Sequence, residues 1–140
     1  MTHRRSVVLD NEAVQALSSP EHPKHAQVIA HVQVVAARKQ KAKQIDLLVP
    51  TCVRVEAGWD RTAKSAAFIN RLRIADVALD APLANAAAAI TQSVAVSVAD
   101  AHIGAWMRVA DAGDSCTVVT SDPGDITAVA GVMPITIIAI

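Results

Sequence analysis

Five short apolar or β-branched runs recur along the chain, each parted from the next by a stretch with helical spacing, and this alternation limits the folds open to it. The runs are residues 6–9, 46–49, 74–79, 116–120 and 135–138. Val118 and Val119, and the run at 135–140, are nearly all apolar, which suits strands covered on both faces. Between them the spacing predicts helices over 22–44, 51–59, 62–72, 81–92, 98–112 and 123–129. The first carries Val28, Ile29, Val32, Val35 and Ala36 at helical intervals and ends in a basic segment, as a helix C-terminus favours. The last opens on Pro123, a residue tolerated in a first turn. Strands alternating with helices predict an α/β fold around a parallel sheet, and 140 residues fit a single domain over 1–140.

Bulk properties narrow the class. With 52% apolar residues the chain can bury a substantial core, yet no run is long enough to span a bilayer. The Ala-rich stretch at 86–90 reads as a buried helix, and the apolar run before Asp10 is too short for a signal-peptide core. Cys52 and Cys116 match no metal-binding spacing and read as free, buried thiols in a reducing compartment. Net charge is zero but unevenly spread. Through Arg73 there are 12 Lys and Arg against 6 Asp and Glu, and from Ile74 onward 1 against 7. That split suits a basic surface beside an acidic site, although solvated helix faces also produce it.

The acids carry the chemistry. Asp10 follows the apolar run at 6–9, and Asp122 follows the run at 116–120 and Ser121, with Asp125 close behind. Glu56 and Asp100 lie among Val and Ala, where a carboxylate is costly unless it reaches water or a partner. Taken singly each has a structural explanation: Asp10 and Asp122 as helix caps, Asp100 as the far end of a capping box opened by Ser97, Glu56 as a solvated helix residue. Taken together, carboxylates on separate elements suggest convergence, and a divalent cation relieves their repulsion. Oxygen-only ligands favour Mg²⁺ or Mn²⁺ over zinc. Alternation gives no strand order. If the order is 3-2-1-4-5, Asp10 and Asp122 face each other across the crevice at the carboxyl ends of neighbouring strands.

The chain resembles a PIN domain, and more narrowly the toxin ribonuclease of a VapBC-type toxin–antitoxin pair. The likeness rests on Val-Val-Leu-Asp10-Asn11, Glu56 on a helix after Pro50, Ser97-Val-Ala-Asp100-Ala, and Val-Val-Thr120-Ser121-Asp122-Pro-Gly-Asp125. It covers nearly the whole chain. The resemblance implies a three-layer sandwich in which a five-stranded parallel sheet of order 3-2-1-4-5 is flanked by helices. It implies an Mg²⁺- or Mn²⁺-dependent endoribonuclease in which Asp10, Glu56, Asp100 and Asp122 are catalytic. Asp10, Asp100, Asp122, Asp125 and Glu56 would hold metal, supported by Asn11, Thr120 and Ser121. The implied partners are an RNA substrate, a VapB-type antitoxin that occludes the acidic cleft, and a second copy of the chain, in bacterial cytoplasm.

Arg38, Lys39, Lys41, Lys43, Arg61 and Lys64 are candidates for holding RNA phosphates, though most basic side chains are simply solvated. With Trp59, Phe68 and Trp106 as the only aromatics, base stacking is not the main grip. His22 and His25 read as exposed at a helix start, and His102, two residues after Asp100, points elsewhere. A phosphoacceptor receiver domain is disfavoured because Asn11, not an acid, follows Asp10 and no Lys occurs after Lys64. A dinucleotide-binding domain is disfavoured because no Gly-x-Gly occurs. The remaining alternative is a catalytically silent PIN-like module that binds RNA or protein.

Overall fold

A computed structural model describes residues 5–40, 45–110 and 115–140. Its elements run β1 (Arg5–Leu9), α1 (Asn11–Ser18), α2 (His25–Gln40), β2 (Ile45–Pro50), α3 (Thr51–Ala57), a 3₁₀ turn (Lys64–Ala66), α4 (Ala67–Asn70), β3 (Ala75–Val77), α5 (Ala81–Ser93), α6 (Val98–Val109), β4 (Cys116–Thr120), α7 (Pro123–Ala130) and β5 (Thr136–Ala139). The strands form one parallel sheet of order β3-β2-β1-β4-β5, flanked by the helices as a three-layer sandwich. The order reverses between β1 and β4, where Ser6 lies opposite Cys116 and Leu9 opposite Val119. Strands that neighbour each other but are distant in sequence leave their carboxyl ends open as a crevice.

One core holds the layers together. Leu9, Val49 and Val118 from the sheet, Val14 and Leu17 from α1, and Ile103 and Met107 from α6 are fully or almost fully buried. Among the described residues no single helix is long and apolar enough to cross a membrane. The apolar α5 and α6 meet at a bend of 119° and pack on each other.

The helix after Asp10 is a short element of its own, α1, set off from α2 by a turn. In that turn His22 accepts the Lys24 N–H on Nδ1 at 3.0 Å, which starts α2 at His25 rather than 22. The region 62–72 is not one helix either. Asp60 takes both the N–H and the hydroxyl of Thr62, at 2.9 and 2.6 Å, and Asn70 ties back to Arg61 and Trp59, so the chain turns twice. The strand expected over 74–79 shrinks to Ala75–Val77. Beyond it, Leu79 donates to the Thr51 hydroxyl at 3.3 Å instead of extending the ladder, and Asp80 caps α5 through Leu83 N–H. Helix α6 ends at Val109, short of 112.

Packing between α6 and α7 is close at Gly104. A Cβ there would lie 2.7 Å from the Val129 Cβ and 2.9 Å from the Val129 carbonyl oxygen. Alanine at an exposed helical position improves on glycine by about 1 kcal/mol. Here the neighbour is backbone and cannot yield cheaply, so Gly104→Ala should destabilise the fold by about 1–3 kcal/mol. Urea unfolding checks this; a stabilised variant would mean the α6–α7 contact is looser than described.

Candidate metal centre

Asp10 stands where β1 ends and α1 begins, 4% exposed. Its Oδ1 accepts the Ala13 N–H at 2.9 Å, capping α1, and its Oδ2 accepts the Ser121 N–H at 3.1 Å, tying it to the end of β4. The Thr120 hydroxyl also donates to this carboxylate and takes the Asp122 N–H at 2.9 Å on its own oxygen. Thr120 is fully buried, so one hydroxyl fixes the spacing between Asp10 and the Asp122 turn. Burial still pushes the Asp10 carboxyl above its ordinary range, against these hydrogen bonds.

Asp122 caps α7, accepting the Asp125 N–H on Oδ1 at 3.3 Å, with Pro123 in the first turn. The Asp125 carboxyl is pushed up, first by its hydrogen bond to the Asp122 side chain, then by slight desolvation and by the Asp122 charge. Glu56, exposed on α3, accepts from Asn11 Nδ2 at 3.1 Å, and Asn11 is steadied by Gln15 at 2.8 Å. Of the expected capping box at α6, the Ser97 half forms: Ser97 Oγ accepts the Asp100 N–H at 3.1 Å.

Asp100 joins these groups. Its carboxyl is pushed up to about 6, first by burial and then by the charges of Asp10, Asp125 and Glu56. Carboxylates from the end of β1, from α3, from α6 and from α7 therefore share one field at the carboxyl edge of the sheet. Among the described residues no three His, Cys, Asp or Glu side chains close on a single point tightly enough to grip an ion as they stand. Like charges spread apart, and Asp10, Glu56 and Asp122 are each engaged with a local donor. The donor set is all oxygen, on separate elements, and suits a hard divalent cation. Asp10, Glu56, Asp100, Asp122 and Asp125 are the residues that would hold it.

The basic candidates are scattered. Arg61 donates to the Ile74 carbonyl at 2.6 Å and to Asp76 at 2.8 Å, and its guanidinium lies 4.2 Å from the centre of the Trp59 ring. It is thus held by internal partners rather than free to grip a phosphate. Lys64 is exposed in the 3₁₀ turn. Arg38 and Lys39 lie near the end of α2, while Lys41 and Lys43 lie outside the described residues. Trp59 is a core residue, 5% exposed. His22 and His25 are half-buried, not exposed: His22 bonds Glu12 at 2.9 Å, and His25 Nδ1 lies 2.7 Å from the Ala16 carbonyl. Cys116 is buried and its thiol pushed up to about 12, whereas Cys52 is only half-buried.

His102 points away from Asp100, as its spacing implies, but into the core, where it is fully buried and accepts a hydrogen bond from the start of α3, a role that residue order does not disclose. Its place in an apolar segment, between Ala101 and Ile103, was the available signal. Compared with protein-family models and with curated proteins, the chain matches none.

Proposed function

We propose that this chain is a PIN-type, Mg²⁺- or Mn²⁺-dependent endoribonuclease, the toxin of a VapBC-like pair. The observation that carries the reading is the shared field of Asp10, Glu56, Asp100 and Asp125 at the crevice between β1 and β4. A divalent cation bound there would supply an activated water and a counter-charge for phosphoryl oxygens. Asp10, Asp100, Asp122 and Asp125 would hold it, and Glu56 would join them or orient the attacking water. Asn11 holds Glu56 in place, while Thr120 and the Ser121 N–H hold Asp10. Cleavage by this route leaves 5′-phosphate and 3′-hydroxyl ends. Lys64 and the basic end of α2 are the candidates for phosphate contacts. The reading brings with it a small antitoxin that sets an Arg among the carboxylates, a homodimer, and residence in bacterial cytoplasm.

The test is cleavage of total cellular RNA by purified protein, with end sequencing, in Mg²⁺ or Mn²⁺ and with chelator. Metal-dependent cuts with the expected ends support the nuclease and identify its target. A folded protein that neither cuts RNA nor binds Mn²⁺ would instead be a silent PIN-like binding module.

A further inference from the structure

We infer that His102 is a positioning residue that fixes the helix carrying Glu56 against the helix carrying Asp100, and so sets the geometry in which the acids hold a divalent cation. The inference rests on the metal-site reading above.

Helix α3 has no N-cap of its own. Its cap residue is Pro50, which has no side-chain acceptor, and the Thr51 hydroxyl is engaged by the Leu79 N–H at 3.3 Å. The first N–H groups of a helix lack intrahelical partners and need acceptors from elsewhere. His102 supplies one: its Nδ1 accepts the Cys52 N–H at 3.4 Å, across 50 residues of sequence. Accepting there leaves the ring's proton on Nε2, which is buried with no hydrogen-bond partner among the described residues. The ring is fully buried, so it cannot swing away to water.

Both ends of this link lead to the acids. Glu56 stands one helical turn after Cys52, on the same side of α3. Asp100 stands two residues before His102, roughly 200° around α6, so the ring points inward while the carboxylate faces the cleft. Helices α3 and α6 are in direct contact, and the His102–Cys52 bond sets how they lie along each other. A buried histidine serving packing alone would leave the Cys52 N–H to some other acceptor, and no other is present among the described residues' hydrogen bonds.

Two substitutions separate acceptor from volume. His102→Leu fills the space without an acceptor. His102→Asn sets its side-chain oxygen where Nδ1 lies, at reduced volume. Mn²⁺ affinity, read from the electron-spin resonance of free Mn²⁺, and hydrogen exchange of the Cys52 amide are compared with wild type. His102→Leu should bind Mn²⁺ about 10–100-fold more weakly and exchange the Cys52 amide faster, with most of both restored in His102→Asn. Wild-type affinity in a folded His102→Leu overturns the proposal, as does His102→Asn binding no better than His102→Leu. If His102→Leu fails to fold, His102→Asn decides: near-wild-type affinity with a protected Cys52 amide supports the brace, and their loss overturns it. Wild-type protein that binds no Mn²⁺, or binds it no better than Asp100→Asn, overturns the metal-site reading itself and this inference with it.

Discussion

Asp100→Asn is expected to lose RNA cleavage by at least about a hundredfold and, without divalent metal near pH 7.5, to unfold at a higher temperature than the wild type. The first effect follows from removing a proposed ligand, since even residues that only support ligands are worth about 10–100-fold. The second follows from the electrostatics of the cleft. Burial, Asp10, Asp125 and Glu56 all disfavour the Asp100 charge, and a neutral amide removes that penalty. Solvent screens part of it, because Asp100 is only half-buried. A gain of about 1 kcal/mol, or roughly 2–4 °C in a domain of this size, is a reasonable measure. Asp10→Asn is the less informative variant. Its single carbonyl oxygen can serve Ala13 or Ser121 but not both, and the amide group would meet an N–H donor, costing about 1–3 kcal/mol. Lost cleavage in Asp10→Asn could therefore reflect a loosened β1–β4 crevice. Lost cleavage with a raised melting temperature in Asp100→Asn has no such explanation. Full cleavage by that variant, or a lower melting temperature, would remove Asp100 from the site.

What the sequence disclosed about this site follows from where the signals lie. An Asp directly after an apolar strand run is a local pattern, and so is Asp-Pro at a helix start, which is why Asp10 and Asp122 could be placed on their elements from residue order alone. The parallel sheet was legible for the same reason: β-branched runs alternating with helical spacing depend on neighbours in the chain. Strand order entered as an assumption that the resemblance also implies, and the sheet has that order. What residue order did not disclose are pairings across long separations. Arg61 looked like a free cation because its partner Asp76 sits on an edge strand 15 residues away. The turns within 62–72 depend on Asn70 reaching back to Arg61 and Trp59. His102 looked inert because its partner, the Cys52 N–H, belongs to a helix whose missing cap becomes evident only once Pro50 and Thr51 are placed.

Divalent metal should stabilise the protein strongly at neutral pH and little in acid, against an Asp100 contribution to metal-free stability that weakens as pH rises. The folded Asp100 titrates near 6, above its ordinary value of 3.8. Between those values the folded state holds more protons than the unfolded chain, so stability falls as pH rises. The contribution is fully present below 3.8 and gone once pH has passed through about 6. Asp10 and Asp125 are also raised and act with the same sign. His102 opposes them: burial holds its pKa below 6.5, so the unfolded chain binds protons there first and stability rises with pH up to that value. Subtracting the Asp100→Asn profile from that of the wild type cancels the His102 effect and leaves the carboxylate. A cation binds the ionised acids, so it offsets their repulsion only where they are charged. At 100 times its dissociation constant it adds about 2.7 kcal/mol, an effect expected at about pH 7.5, mostly absent at about pH 4.5, and much reduced in Asp100→Asn. Urea unfolding with and without Mn²⁺ measures all three. A Mn²⁺ shift equal at both pH values, or equal in the variant, would mean that the ion binds elsewhere. A wild-type profile parallel to that of Asp100→Asn would mean that the carboxylates do not share one cleft.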